Sequence, residues 1–325
     1  MLRGNKSKHS YSAKKLSMHP IAFRIFGHPV HWYGIMMATG FLLAYLAVTK
    51  EAKRRAFPLP AVGDILIAAM IGGVFGARIY YLISYWDEYY QACVSNHVNP
   101  YVHIFFIHEG GLVFLGGFIG AALLIILYCW WRKINLLDVM DFAAIGVPIG
   151  HAMGRVGCFL NGCCFGRATD SFLGFSYPRQ GYGYIFNTLH KNGIQSADPL
   201  HCHPIYPVQL FAVGAHIIIF IVIFTLSRTR FKDRKGHLFP IFLMLDSAFR
   251  FINEFFRGDY DPEHRHLTRL IPGGLTEAQI LLPWIFLAGL ILWFMLPLLQ
   301  KANDRYFSRK TSQHVEEAPT TTKSS

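Results

Sequence analysis

The sequence predicts an all-α polytopic membrane protein that crosses the bilayer about seven times. Three observations predict it. Hydrophobic residues fill 53% of the 325 positions and charged residues only 15%, against roughly 25% charged in a soluble domain. The mean hydropathy is +0.30, so too few charges remain to coat a water-soluble globule of this length. The stretches at about 33–49, 61–85, 111–131, 138–160, 206–226, 238–256 and 278–299 each approach the roughly 20 apolar residues that a membrane-crossing helix needs. They are long apolar runs, whereas a β-barrel would show alternating segments of about ten residues. No repeat relates the two halves, so an inverted-repeat transporter architecture has no support.

The connections set the direction of each span. Lys50, Lys53, Arg54 and Arg55 follow span 1, and Arg132 and Lys133 follow span 3. Arg228, Arg230, Lys232, Arg234 and Lys235 follow span 5, and Lys301, Arg305, Arg309 and Lys310 follow span 7. Cytoplasmic loops collect Lys and Arg, so the N-terminus is expected outside and the C-terminus inside. The connection from Trp86 to Gly111 holds neither residue; the other external connections hold a few, including Arg167, Arg179, Arg265 and Arg269. Trp32, Trp86 and Trp284 fall at outer ends, and Trp130 with Trp131 at an inner end, as interfacial aromatics do. The formal charge of +12 therefore faces anionic cytoplasmic lipid for the most part, and nucleic acid is excluded as a partner.

Residues 1–29 form a polar N-terminal tail whose Lys6, Lys8, Lys14 and Lys15 run against this orientation; two starts, Met1 and Met18, are open. This tail lacks the apolar core of a signal peptide, so the first span is expected to act as its own insertion signal. Residues 30–300 form the membrane domain. Residues 167–206 between spans 4 and 5 are too many for a structureless loop and predict a small external subdomain or lid. Residues 301–325 are polar and predict a disordered cytoplasmic tail. Among the six cysteines, Cys93 and Cys202 lie in external connections, open either to a bridge or to two free thiols. Cys158, Cys163 and Cys164 crowd the outer end of span 4. A zinc site would want further His or Cys at regular spacing, so these three are read as packing residues and no metal is expected.

Ionisable groups inside a span are costly and mark either function or an internal ion pair. Span 6 carries Asp246, Arg250, Asn253, Glu254 and Arg257 as one polar stripe at helical spacing, with carboxylates on both sides of Arg250. Span 4 repeats Gly146, Gly150 and Gly154 as a smooth face for close helix approach, while His151, Arg155 and Cys158 share another face. The planar guanidinium fork suits phosphate, and Arg155, like Glu254 and Arg257, lies toward the outer side. Arg78, after Gly72-Gly73 and Gly76, either supports the same site or snorkels outward. His108 and Glu109, ahead of Gly110-Gly111, Gly116-Gly117 and Gly120, are read as solvated boundary residues. Arginines with carboxylates near one side of a bundle suit a phosphate-bearing lipid or solute.

The run Gly154-Arg155-Val156-Gly157-Cys158-Phe159-Leu160-Asn161-Gly162-Cys163-Cys164-Phe165-Gly166-Arg167 resembles the signature of bacterial prolipoprotein diacylglyceryl transferases. Further pieces stand in that family's order: His31-Trp32-Tyr33-Gly34, Gly76-Ala77-Arg78, Gly110-Gly111-Leu112-Val113-Phe114, Pro207-Val208-Gln209-Leu210 and Arg250-Phe251-Ile252-Asn253-Glu254-Phe255-Phe256-Arg257. The resemblance spans about residues 30–300 and implies a seven-helix protein of the bacterial inner membrane with its site toward the external side. It implies transfer of diacylglycerol from phosphatidylglycerol to the lipobox cysteine of a prolipoprotein signal peptide, with glycerol 1-phosphate leaving and no cofactor required. On that resemblance Arg155 and Arg250 bind the phosphate and stabilise the leaving group, and Tyr33 joins them as a catalytic candidate. Asn161, Gly166, Glu254 and Arg257 match motif positions, Glu254 orienting Arg250 and Gly166 lending backbone near the headgroup. The chain departs from the family where a histidine often precedes Gly116: it has Leu115, so either the base lies elsewhere, with His31, Tyr33 and His151 as unranked substitutes, or the thiol ionises in the positive field of the arginines. Cys158 stands for the signature asparagine and Cys163 for its usual acidic position. Phe211-Ala212 follows Pro207–Leu210 where the family often has Tyr-Glu. The alternative of another class is a non-catalytic phospholipid-binding protein or a transporter of an anionic phosphate compound.

Overall fold

A computed structural model describes residues 14–17, 19–106, 111, 113–259 and 274–316. His108 and Glu109, the loop arginines Arg265 and Arg269, and the second start Met18 lie outside the described residues. The chain forms two compact units, residues 1–44 with 140–325 and residues 45–139. Helices α1 (Trp32–Arg54) and α6 (Leu136–Asn161) run through both.

In the 45–139 unit, α2 (Leu59–Ser84) lies against α5 (Phe114–Arg132), with short α3 (Trp86–Ser95) and α4 (Pro100–His103) on the connection. Glycines on both helices make that contact. A Cβ on Gly120 would lie 2.8 Å from the Cα of Gly76, and one on Gly72 would strike the Gly120 carbonyl. Backbones this close gain van der Waals contact where lipid offers no hydrophobic drive between helices.

The other unit contains α8 (Val208–Arg228), α9 (Leu238–Glu254) and α10 (Glu277–Glu316). Its share of α6 packs its glycine face on α1: a Cβ on Gly40 would lie 3.4 Å from the Cα of Gly150, and one on Gly157 would lie 3.3 Å from the Cα of Tyr33. Asp141, fully buried on α6, accepts hydrogen bonds from the N–H groups of Gly236 and Leu238, each at 2.9 Å, satisfying donors that the start of α9 leaves without helical partners.

Six helices among the described residues (α1, α2, α5, α6, α8 and α10) are long and apolar enough to cross a membrane. Outward-facing residues such as Ile83, Phe118, Leu123 and Phe294 present the apolar surface that a bilayer covers. The protein is an all-α polytopic membrane protein. The predicted sixth span corresponds to α9, at 17 residues the shortest of the set.

Two segments are more ordered than expected. The predicted polar tail carries strands β1 (Lys14–Lys15), β2 (Ile21–Ile25) and β3 (His28–His31), with β2 and β3 paired antiparallel. Helix α10 continues to Glu316, so the predicted disordered tail begins as helix. Its Gln, Lys, Ala and Arg residues are good helix formers, and a helix satisfies its own backbone after leaving the apolar stretch.

The segment between α6 and α8 carries short elements packed around a small core. Strand β4 (Phe175–Ser176) pairs in parallel with β1, which Lys15 ties down through an ion pair to Asp198 at 2.9 Å. Helix α7 (Gly183–Lys191) closes a core of Phe165, Tyr177, Tyr182, Ile185 and Ile205 with Phe159 of α6. The Tyr177 and Tyr182 hydroxyls donate to the carbonyls of Phe159 and Leu160 at 2.9 and 2.8 Å, fastening the subdomain to the last turn of α6. Cys93 and Cys202 are both free and buried, and burial pushes the Cys202 thiol up to about 11.

Candidate active site

The predicted site begins where α6 ends. Gly162 at φ +70° turns the chain, and Cys164 holds φ +55° without being glycine, a conformation that costs a side-chain-bearing residue energy. The loop is fixed from three directions. The Gln209 amide donates to the Cys163 carbonyl at 2.9 Å. The Gly166 N–H donates to the Tyr206 carbonyl at 3.0 Å, and the Arg167 N–H to the Phe256 carbonyl at 2.8 Å. Gly166 itself pairs with Arg257 as an antiparallel bridge, and a Cβ there would strike the Tyr206 carbonyl and lie 2.9 Å from that of Phe256. Glycine is required by this close backbone approach.

Arg155, half-buried nearly two turns before the end of α6, makes no hydrogen bond or ion pair with the described residues. Arg250 has a single carboxylate contact of that kind, Asp246 Oδ2 at 4.0 Å, and keeps a third of its side chain exposed. The two guanidinium groups share one region, and the one ion pair that Arg250 makes with the described residues is long. Such a surplus of positive charge fits an anion with several oxygens. Arg257 differs: it forms a bidentate pair with Asp259 at 2.6 and 3.1 Å, touches Glu254 Oε2 at 3.6 Å and reaches the Cys164 sulfur at 3.9 Å. Burial opposes its charge, and the hydrogen bonds to Asp259 more than offset this and hold it above its ordinary range. Glu254, expected to orient Arg250, is buried and accepts from Thr276 at 3.0 Å; the ion pair on Arg250 comes from Asp246.

Asp246 opens a polar network that crosses three helices. His216 Nε2 lies 2.9 Å from Asp246 Oδ1, and His216 Nδ1 lies 2.6 Å from the Ala212 carbonyl. A neutral imidazole has one N–H. The tautomer of His216 therefore decides which of the two oxygens, the Ala212 carbonyl or Asp246 Oδ1, receives its N–H. His151 Nδ1 stands 3.3 Å from His216 Nε2 and 3.7 Å from Asp246 Oδ1. Of the proton acceptors left open by the sequence, His151 is the one joined to this network. His31 lies exposed at the end of β3, and Tyr33, on the first turn of α1 against Gly157, lies in the field of Arg155, of Cys158 on α6 and of the loop cysteines Cys163 and Cys164. Asn161 lies close to the Cys163 thiol, which donates to the Cys158 carbonyl at 3.8 Å.

Arg78 belongs to the 45–139 unit and does not snorkel. It is buried, 6% exposed, and donates to the carbonyls of Ile104, His103 and Gly111 at 2.9, 3.0 and 3.3 Å, so it holds the connection after α3 together. Gln209 and His216 were missed as site residues. The first lay inside a recognised motif; the second is an ionisable residue in an apolar span, which is itself a signal.

Residues 20–295 match the family model for prolipoprotein diacylglyceryl transferase. The chain belongs to this family. Relatives named phosphatidylglycerol–prolipoprotein diacylglyceryl transferase include those of Bordetella parapertussis, 31% identical over 83% of this chain and 92% of the relative, and Clostridium novyi, 31% identical over 85% and 95%. The Coxiella burnetii relative is 32% identical over 85% and 94%. Within the family frame the signature loop, Arg155 and the Arg250–Arg257 stripe thus occupy one compact unit of this chain.

Proposed function

We propose that this protein transfers the diacylglyceryl group of phosphatidylglycerol to the lipobox cysteine of prolipoproteins, the first step of lipoprotein maturation. The observation that supports the residue roles is the pair Arg155 and Arg250: Arg155 makes no ion pair with the described residues, and Arg250 has a long one, to Asp246 at 4.0 Å. They hold the phosphodiester, and their charge stabilises the leaving phosphate as the carbon–oxygen bond breaks. The substrate sulfur attacks the glyceryl carbon, a thioether forms, and glycerol 1-phosphate leaves with the electron pair. The thiol proton passes to His151, whose Nδ1 is turned to the His216–Asp246 pair. Tyr33, Asn161, Gly166 and Arg257 shape the loop beside the arginines, and Glu254 steadies Arg257. An apolar groove of about 410 Å³ lined by Leu173, Phe211, Phe249, Ile252 and Phe256 runs along the Arg250 helix and suits an acyl chain. The reading places seven spans in the bacterial inner membrane, N-terminus outside, with the site toward the external side.

The test supplies purified protein with phosphatidylglycerol and a lipobox peptide. Diacylglyceryl peptide and glycerol 1-phosphate are expected from the wild type. Arg155→Ala and Arg250→Lys are each expected to lower kcat by about 10²–10³-fold, since an ammonium lacks the guanidinium's fork. Equal turnover by wild type and both variants would overturn the phosphate assignment.

A further inference from the structure

Cys158, Cys163 and Cys164 were read from spacing as packing residues, yet their three sulfur atoms lie within 4.8 Å of one another. We propose that these three thiolates hold one soft divalent cation of the zinc type, whose fourth position receives the thiol of the substrate cysteine. This deepens the transferase reading and rests on it for the identity of the fourth ligand; the three-sulfur site itself does not.

Four features argue for a built site. First, sequence neighbours do not meet by default: the turn at Gly162 and the left-handed Cys164 are what return Cys163 and Cys164 to Cys158. A conformation that is costly for cysteine is kept where it brings a third sulfur in. Second, the loop is held before any ligand arrives, by Gln209 on the Cys163 carbonyl at 2.9 Å and by the Gly166 contacts. Third, three thiolates around a dication leave net negative charge, and Arg257 Nη2 stands 3.9 Å from the Cys164 sulfur to offset it. Fourth, these three cysteines are partly exposed, whereas Cys93, Cys129 and Cys202 are buried, so an ion and a substrate have access. Zinc–sulfur bonds of about 2.3 Å place tetrahedral sulfurs about 3.8 Å apart, within reach of side-chain rotation from the observed cluster. Three protein ligands with one open position is the arrangement of a catalytic site.

The chemistry addresses the departure at Leu115. A thiol that coordinates such a cation is deprotonated. The substrate thiol would give up its proton to the His151 network and remain as metal-bound thiolate. Its sulfur then forms the bond to the glyceryl carbon while glycerol 1-phosphate leaves with the carbon–oxygen electron pair. The neutral thioether is a poor ligand and departs.

The experiment titrates reduced, chelator-treated full-length protein in detergent with cadmium, read by the ultraviolet sulfur-to-metal charge-transfer band. One cadmium per chain is expected, with the band lost in Cys158→Ser and in Cys163→Ser but kept in Cys129→Ala. On the wild type, cadmium should protect these three cysteines from alkylation, mapped by mass spectrometry, so the result does not depend on a variant folding. A lipobox peptide should intensify the band, and its serine counterpart should not. Transfer should fall about tenfold or more on chelation and return with zinc. No stoichiometric binding, a band that survives the serine variants, or conversion of the trio to a disulfide without metal uptake overturns the site. Full transfer in Cys163→Ser with no metal also overturns it and leaves the transferase reading standing. One bound cadmium without any diacylglyceryl transfer keeps the three-sulfur site, removes its substrate-thiol position and overturns the transferase reading.

Discussion

Asp246 serves two neighbours at once, accepting or sharing the proton of His216 at 2.9 Å through one oxygen and facing Arg250 at 4.0 Å through the other. Its two functions are separable by substitution. In Asp246→Asn the side-chain amide can donate to His216 Nε2 while His216 donates to the Ala212 carbonyl, so the network stays satisfied and the charge beside Arg250 disappears. Thermal unfolding is expected to change little, while kcat falls about 10–100-fold with a smaller change in KM. Asp246→Ala leaves a buried group without its partner and is expected to cost about 3–5 kcal/mol, read by the same melts. An unchanged kcat in Asp246→Asn would remove its positioning role on Arg250. The stripe of Asp246, Arg250 and Glu254 was legible in the sequence because helical spacing fixes one face; Arg257, expected on the same stripe, lies beyond the end of α9 and pairs with Gly166. That His216 supplies the partner was not legible, since periodicity speaks of one helix at a time.

At the scale of elements, glycine spacing decides where helices touch. The α2–α5 contact through Gly72, Gly76, Gly116 and Gly120 follows from small residues at four-residue spacing, and the structure places backbone directly against each. Gly120→Leu would drive its Cβ into Gly76 Cα at 2.8 Å and is expected to destabilise by more than about 1–3 kcal/mol, lowering the melting temperature in detergent. Gly63→Ala on the same α2, with nothing within 4 Å of the new methyl, is expected to be neutral or to stabilise by about 0.5–1 kcal/mol. Equal melts for the two variants would refute the packing argument. The cap on α9 from Asp141 had no local signal: its donors, Gly236 and Leu238, lie far along the chain.

At the scale of the whole molecule, the charge distribution rather than any one helix sets the expected orientation. Part of that charge is internally paired: Glu51, fully buried, takes Arg54 at 2.6 Å and Arg55 at 3.0 Å. The remaining basic connections still alternate with poorer ones, and α9, the shortest of the long helices, is needed for the count that puts the two ends on opposite sides. Alkaline phosphatase fused after Ser95 is expected to be active, and after Lys133 inactive, while a fluorescent protein at the C-terminus is expected to fluoresce. An active fusion after Lys133 would reverse the orientation.

The sequence by itself determined the membrane class, the helical spans, the glycine contacts and the family, because hydropathy, spacing and ordered motifs are local properties of the chain. Tertiary structure alone decided what those residues face. It gave Arg78 to three backbone carbonyls and, among the described residues, left Arg155 without an ion pair and Arg250 with a long one. It linked His151 to His216 and Asp246, and it gathered three cysteine sulfurs from a spacing that suggested packing. Partners such as these come from separate segments, and their meeting depends on close backbone approach and left-handed turns that no local pattern encodes.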